Sequence, residues 1–141
     1  MSAASDYLED ALLDHVLSNT AYTSPTTVYV GLATSDPSTG STLENLEAGT
    51  LTDEISASGT AYARKAVTFG AASGGRSTTK ANFTFDAATS NWGEVTHVFI
   101  ADGATAGAGN VLFYGALDTA KTIESGDTFQ ITTGNLTVTL A

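Results

Sequence analysis

The chain has no cysteine among its 141 residues, and it has two histidines. Disulfides and thiolate metal sites are therefore excluded, and zinc is left with too few of its usual ligands. Charged residues make up 14% of the chain, well below the usual quarter. Its polar residues are mostly Thr, Ser, Asn and Gly, which are typical of strands and turns. No run approaches the roughly 20 apolar residues of a membrane helix, so we expect no membrane partner.

Basic residues are scarce, and none of the five lies in the first 59 positions. The same 59 positions hold nine acids, so the formal net charge of −10 belongs almost wholly to this segment. An acidic chain repels phosphate backbones, and we expect no nucleic-acid partner. We also predict no catalytic residues, no cofactor, no metal and no small-molecule substrate.

One amphipathic helix opens the chain. The apolar stripe at helical spacing consists of Leu8, Ala11, Leu12, His15 and Val16. This spacing predicts a helix at about residues 6–18, and it predicts that His15 is buried with a hydrogen-bond partner.

The hydrophobic period changes to two after this helix. About eight short strands follow, separated by turn residues, and no helix is available to connect parallel strands. The sequence therefore predicts a single all-β domain over residues 1–141, an antiparallel β-sandwich resembling a jelly roll. The segment EVTHVFIA is apolar on both faces, which predicts a central strand with a buried His97. The residues expected in the core are Phe83, Phe85, Trp92, Val98, Ile100, Leu112 and Phe129.

The exception to compactness is an acidic segment at about residues 34–60, rich in Ser, Thr and Gly. A loop of this length is usually functional or disordered. We expect its carboxylates to be solvated, since the segment offers little to bury them. The paired carboxylates are Asp53 with Glu54 and Glu44 with Glu47. Calcium binding by this loop is left open.

The stretch GAASGGRS, residues 70–77, differs from a phosphate-binding loop by Arg76 in place of lysine. A phosphate loop needs a helix after it, because the helix N-terminus points its N–H groups at the anion. The residues that follow alternate as a strand. We therefore predict a hairpin turn that uses its glycines for positive φ.

Several segments together resemble a family of small tailed-bacteriophage virion proteins that are labelled tail-fibre or head-decoration proteins. They are SDYLEDALLDHVL, YTSPTTVYVGLATSDP, YARKAVTFGAASGGRSTT, WGEVTHVFIAD and GALDTAKTIESGDTFQI. The resemblance spans nearly the whole chain in order. It implies a β-sandwich built into a virus particle, and it implies no catalytic residues.

The leading expectation is a capsid decoration, or cement, protein on the head exterior. Its partners would be the major capsid protein and neighbouring copies of itself. The alternatives are a tail-fibre or tail-tip component that contacts the host surface and, less favoured, a lectin-like module that binds glycans. The charge asymmetry suggests that acids of one copy meet bases of a neighbour or of the shell. The expected contact residues are Asp6, Glu9, Asp10, Arg64, Arg76 and Lys80.

Overall fold

A computed structural model describes residues 2–48 and 52–140 of the chain. Its elements in chain order are β1 (Ser2–Ala4), α1 (Asp6–Leu17), β2 (Val28–Ala33), α2 (Thr42–Glu47), β3 (Lys65–Val67), β4 (Arg76–Thr78), β5 (Phe83–Thr84), β6 (Gly93–Ala101), β7 (Val111–Ile123), β8 (Gln130–Ile131) and β9 (Thr137–Thr139).

Five strands form the main sheet in the order β1-β7-β6-β2-β3, with every neighbouring pair antiparallel. Two antiparallel ribbons, β4-β9 and β5-β8, accompany this sheet. This arrangement confirms the all-β antiparallel class with an N-terminal helix. The described residues contain nine strands where about eight are predicted, and the strands outside the main sheet form two separate ribbons.

The core lies between the main sheet and the ribbons. Residues of β2 and β6 pack there against an aromatic cluster from the other layer. Phe85 is at its centre, with ring centroids 5.8 Å from Phe129 and 6.2 Å from Trp92. Trp92 also donates its indole N–H to the backbone carbonyl of Thr60 at 2.8 Å. Each of the seven residues expected in the core is buried.

Strand β6 occupies the middle of the main sheet, as its two apolar faces predict. It pairs with β2 through five consecutive residues and with β7 on its other side. The pairing with β7 shifts register between Val95, opposite Lys121, and His97, opposite Ala116. Residues 117–120 of β7 therefore bulge away from β6.

Helix α1 begins one residue after Ser5, whose side chain accepts a hydrogen bond from the Leu8 N–H at 3.3 Å. Ser5 also anchors this end to β7, because its N–H donates to the Leu112 carbonyl at 2.9 Å and its hydroxyl donates to the Val111 carbonyl. The helix ends at Leu17, close to the predicted boundary.

Residues 34–48 and 52–60 of the acidic segment are not solvated throughout. The segment contains α2, whose Leu46 is fully buried, and Ile55 joins the main core. The Thr34 N–H donates to the Asp53 carbonyl at 2.9 Å, which closes the segment against the end of β2. Part of the segment is therefore packed against the rest of the protein, because Leu46 and Ile55 are buried although the segment has few apolar residues.

Candidate functional site

The six residues expected to contact a partner lie in three places. Asp6, Glu9 and Asp10 are exposed on the first two turns of α1. Arg76 and Lys80 are exposed on the hairpin that contains β4. Arg64 is 5% exposed, so it lies in the interior and offers no charge to the surface.

Each of the five N–H groups of the Arg64 guanidinium has an acceptor. Nε and Nη2 donate to the two carboxylate oxygens of Glu54, both at 2.8 Å. The other N–H groups donate to the backbone carbonyls of Leu46 (3.1 Å), Gly103 (3.0 Å) and Ala108 (2.7 Å). Neither charged side chain has any solvent exposure. The ion pair therefore joins α2 to the loop between β6 and β7.

Each oxygen of the Glu54 carboxylate accepts two hydrogen bonds, one of them from Arg64. Its Oε1 also accepts from the Tyr62 hydroxyl, and its Oε2 accepts from the Gly107 N–H, both at 2.7 Å. The Tyr62 oxygen in turn accepts from the Leu32 N–H at 3.0 Å. Burial raises the pKa of Tyr62 well above its ordinary value, and the Glu54 carboxylate raises it further. The hydroxyl therefore keeps its proton and remains a donor. We call Glu54, Tyr62 and Arg64 the buried charge network.

An aromatic ring supports this network from one side. The Cζ atom of Arg64 lies 4.9 Å from the centroid of the Phe99 ring, which is a cation–π contact. Gly31 leaves the space for that ring, since a Cβ at Gly31 would lie 2.2 Å from the ring's Cζ atom. These two residues are directly opposed in the pairing of β2 with β6.

The buried charge network corrects two expectations. Arg64 is bound inside the protein instead of facing a partner, and Glu54 is buried instead of solvated. The alternation of the sequence contained a usable signal. Tyr62 and Arg64 share one face of their segment, so a buried Tyr62 implies a buried Arg64. A buried arginine needs an acid, and the pair Asp53-Glu54 lies close in the chain.

The other carboxylates of the acidic segment differ in burial. Glu44 is exposed, as expected, while Glu47 and Asp53 are half-buried. Glu47 accepts from the Val111 N–H at 2.7 Å, and Asp53 accepts from the Asn45 amide at 2.6 Å. Across residues 2–48 and 52–140, no group of three or more His, Asp or Glu side chains is placed to hold a metal ion.

The two histidines lie in different environments. His15 is exposed, and its Nδ1 accepts from the Tyr22 N–H at 3.2 Å, so the prediction that it is buried is wrong. His97 is half-buried in β6, with Nδ1 2.8 Å from the Thr96 hydroxyl and Nε2 3.7 Å from a carboxylate oxygen of Asp36.

The stretch GAASGGRS forms a hairpin turn, as predicted. The backbones of Ser73 and Arg76 exchange hydrogen bonds of 2.9 and 3.2 Å around Gly74 and Gly75. Both glycines have positive φ, +61° and +76°, as a two-residue hairpin turn of type I′ requires. Strand β4 begins at Arg76, so no helix follows the turn to bind a phosphate.

An apolar groove of about 350 Å³ lies beside this turn, and Arg76 forms part of its wall. We call it the hairpin groove; its apolar lining includes Val28, Phe69, Ala72, Phe113, Val138 and Leu140. Leu140 is held there by its N–H, which donates to the Gly75 carbonyl at 2.8 Å. A Cβ at Gly75 would approach the Leu140 carbonyl oxygen to 2.8 Å, so glycine permits this closure.

Most of helix α1 is exposed. Leu8 is its buried residue, and the later part of the expected stripe, including Val16, faces solvent. Three apolar side chains point outward: Leu13 is 57% exposed, Val16 73% and Leu17 76%. We call these three residues the α1 outer face. Sequence periodicity could not show this, because it does not reveal which face of a helix finds a partner.

Among the described residues, no helix is long and apolar enough to cross a membrane.

A comparison with known protein families finds a match over most of the chain. Residues 3–139 match the family described as "Podophage GP4 fiber I protein gp80". Because this match covers nearly the whole chain, the chain belongs to that family of phage fibre proteins. It is a bacteriophage virion protein, and the resemblance noted in the sequence is confirmed. None of the curated proteins searched matches the chain.

Proposed function

We propose that this chain is a non-enzymatic component of the tail fibre of a podophage particle and that it serves in contact with the host surface. The observation that carries the proposal is the family match over residues 3–139. The family's description names a fibre, so it supports the tail-fibre alternative better than capsid decoration. Under the decoration alternative, the chain would instead bind the major capsid protein.

The chemistry of the interior supports a structural role. All five N–H groups of the Arg64 guanidinium have acceptors, and both oxygens of the Glu54 carboxylate accept hydrogen bonds. Neither side chain has access to solvent. A catalytic acid or base must reach a substrate proton, directly or through one water. This ion pair is instead suited to hold a loop, a helix and a strand in fixed positions. A rigid framework of this kind leaves recognition to the surface.

Localisation on the particle tests this proposal. We suggest gold-labelled antibodies against this chain on purified virions, together with quantitative mass spectrometry that takes the major capsid protein as its reference. We expect the label at the tail and far fewer copies than capsid subunits. An antibody against the major capsid protein is the control for access to the head.

Label spread over the shell, with a copy number close to that of the capsid subunits, would overturn the tail assignment in favour of decoration. Specific binding of the purified chain to isolated host glycans would extend the tail-fibre assignment to a lectin-like activity.

A further inference from the structure

The α1 outer face is an apolar surface that the described chain does not cover. Its residues Leu13, Val16 and Leu17 follow the spacing i, i+3, i+4, so they share one side of the helix. All three are more than half exposed. Single exposed apolar residues are ordinary, whereas three adjacent ones on one helix indicate a contact surface.

We propose that the α1 outer face of one copy packs into the hairpin groove of a second copy of this chain. An amphipathic helix that presents anchors at i, i+3 and i+4 is a usual occupant of an apolar groove. The hairpin groove is lined almost entirely by apolar atoms. Its lining residues come from the sheet, the hairpin and the end of β9, and none comes from α1. Helix α1 of the same copy therefore does not fill the groove.

Charge supports a second copy as the occupant. Glu9 and Asp10 are exposed one turn before the α1 outer face. Arg76 forms part of the groove wall, and Lys80 lies on the same hairpin, where its Cγ is near Gly70. Neither base has an acid within ion-pair distance among the described residues. Docking the helix would bring these acids near these bases, and the chain supplies both.

The two surfaces are different, so each copy offers one helix and one groove. A contact between unlike surfaces produces a closed ring or an open head-to-tail array. Either arrangement repeats the chain along or around an axis, as a fibre component requires. The biological role of the contact rests on the proposed tail-fibre function, but the contact itself is a property of the purified chain.

The absence of native cysteine allows a direct test by cross-linking. Val16→Cys is made in one batch of the full chain and Ala72→Cys, in the groove, in another. The batches carry tags of different mass, are mixed and are oxidised gently. A disulfide requires Cα atoms roughly 4.4–6.8 Å apart, so it reports direct docking. Ala87→Cys, at an exposed position outside the groove, replaces Ala72→Cys in the control.

We expect the Val16–Ala72 disulfide to exceed the Val16–Ala87 control by at least about tenfold, because docking raises the local thiol concentration. Val16–Val16 disulfides as the main product would show that helices pair with each other and would overturn the proposal. A Val16–Ala72 yield equal to the control across the accessible concentration range would also overturn it.

Charge exchange tests the orientation. Arg76→Glu in the Ala72→Cys chain should lower the disulfide yield, and Glu9→Lys in the Val16→Cys chain should restore it. Lys121→Glu, at an exposed base outside the groove, is the matched control and should leave the yield unchanged. Loss of yield without rescue would contradict the proposed orientation. Cross-linking is measured on the isolated chain and localisation on the particle, so failure of this contact is distinguishable from failure of the tail-fibre assignment.

Discussion

The segment at residues 52–64 buries polar side chains, whereas the helix α1 exposes apolar ones. In the first, Glu54, Tyr62 and Arg64 point inward and their polar groups are paired. In the second, Leu13 and Val16 point outward without cover from the described chain. A polar segment is buried where partners for its charges exist, and an apolar helix face stays exposed where no surface of the same copy reaches it.

The largest effect that sharpens this contrast is expected from Arg64→Met, which leaves the Glu54 carboxylate buried without its counter-charge. Breaking a buried ion pair costs about 3–5 kcal/mol, and we expect a loss of that size in the free energy of unfolding by urea. Lys65 pairs with Asp86 at 3.0 Å near the surface and provides the control. Lys65→Met should cost less than about 1 kcal/mol. Equal losses of unfolding free energy in Arg64→Met and Lys65→Met would show that the buried ion pair contributes no more than the surface pair.

A smaller loss is expected from Tyr62→Phe. The change removes a donor to Glu54 and leaves the Leu32 N–H without its acceptor. An unsatisfied buried polar group costs about 1–3 kcal/mol, and we expect that loss in urea unfolding. Tyr29→Phe, at a half-buried ring of β2 outside the network, is the control. If Tyr62→Phe leaves the free energy of unfolding unchanged, the hydroxyl is not needed to hold the Glu54 carboxylate.

A pH-dependent effect is expected at Glu47. Burial raises its pKa, and the hydrogen bond from the Val111 N–H lowers it in part. A raised pKa in the folded state contributes stability at low pH that is lost as pH rises through the folded pKa. Glu47→Gln keeps an acceptor and carries no charge.

Its unfolding free energy relative to wild type should therefore rise between about pH 4 and about pH 7, by less than about 1 kcal/mol because Glu47 is half-exposed. A relative stability of Glu47→Gln that falls with pH would show that the hydrogen bond outweighs burial.

The smallest effect on folding is expected on the α1 outer face. Leu13→Gln, Val16→Gln and Leu17→Gln should each change the unfolding free energy by less than about 0.5 kcal/mol, because exposed side chains contribute little. Leu8→Gln, at the buried position of the same helix, should cost about 2–5 kcal/mol. Thermal melting at low protein concentration provides the measurement. A large loss of unfolding free energy in Val16→Gln would mean that the α1 outer face is packed within one copy.

The sequence predicts the features that depend on local pattern. The central position of β6 follows from its two apolar faces, and the turn at Gly74 and Gly75 follows from the need for positive φ. The core positions of Phe85 and Trp92 follow from alternation and from the apolar strand that comes next.

The features that depend on tertiary partners could not be read in this way. The carbonyls of Gly103 and Ala108 reach Arg64 through a loop 39 or more residues away in the chain. No local sequence pattern identifies these carbonyls as acceptors for Arg64. The exposure of His15 and Val16 has the same cause, since periodicity identifies a stripe but not the surface that covers it.

Native-state hydrogen exchange on dilute protein tests the contrast between the two regions most directly. The Gly107 N–H lies in a glycine-rich loop but donates to the buried Glu54 carboxylate. We predict that it exchanges as slowly as the amides of β6, because both open only when the fold opens. The amides of residues 13–17 should exchange far faster. Rapid exchange at Gly107, with residues 13–17 as slow as β6, would contradict the account.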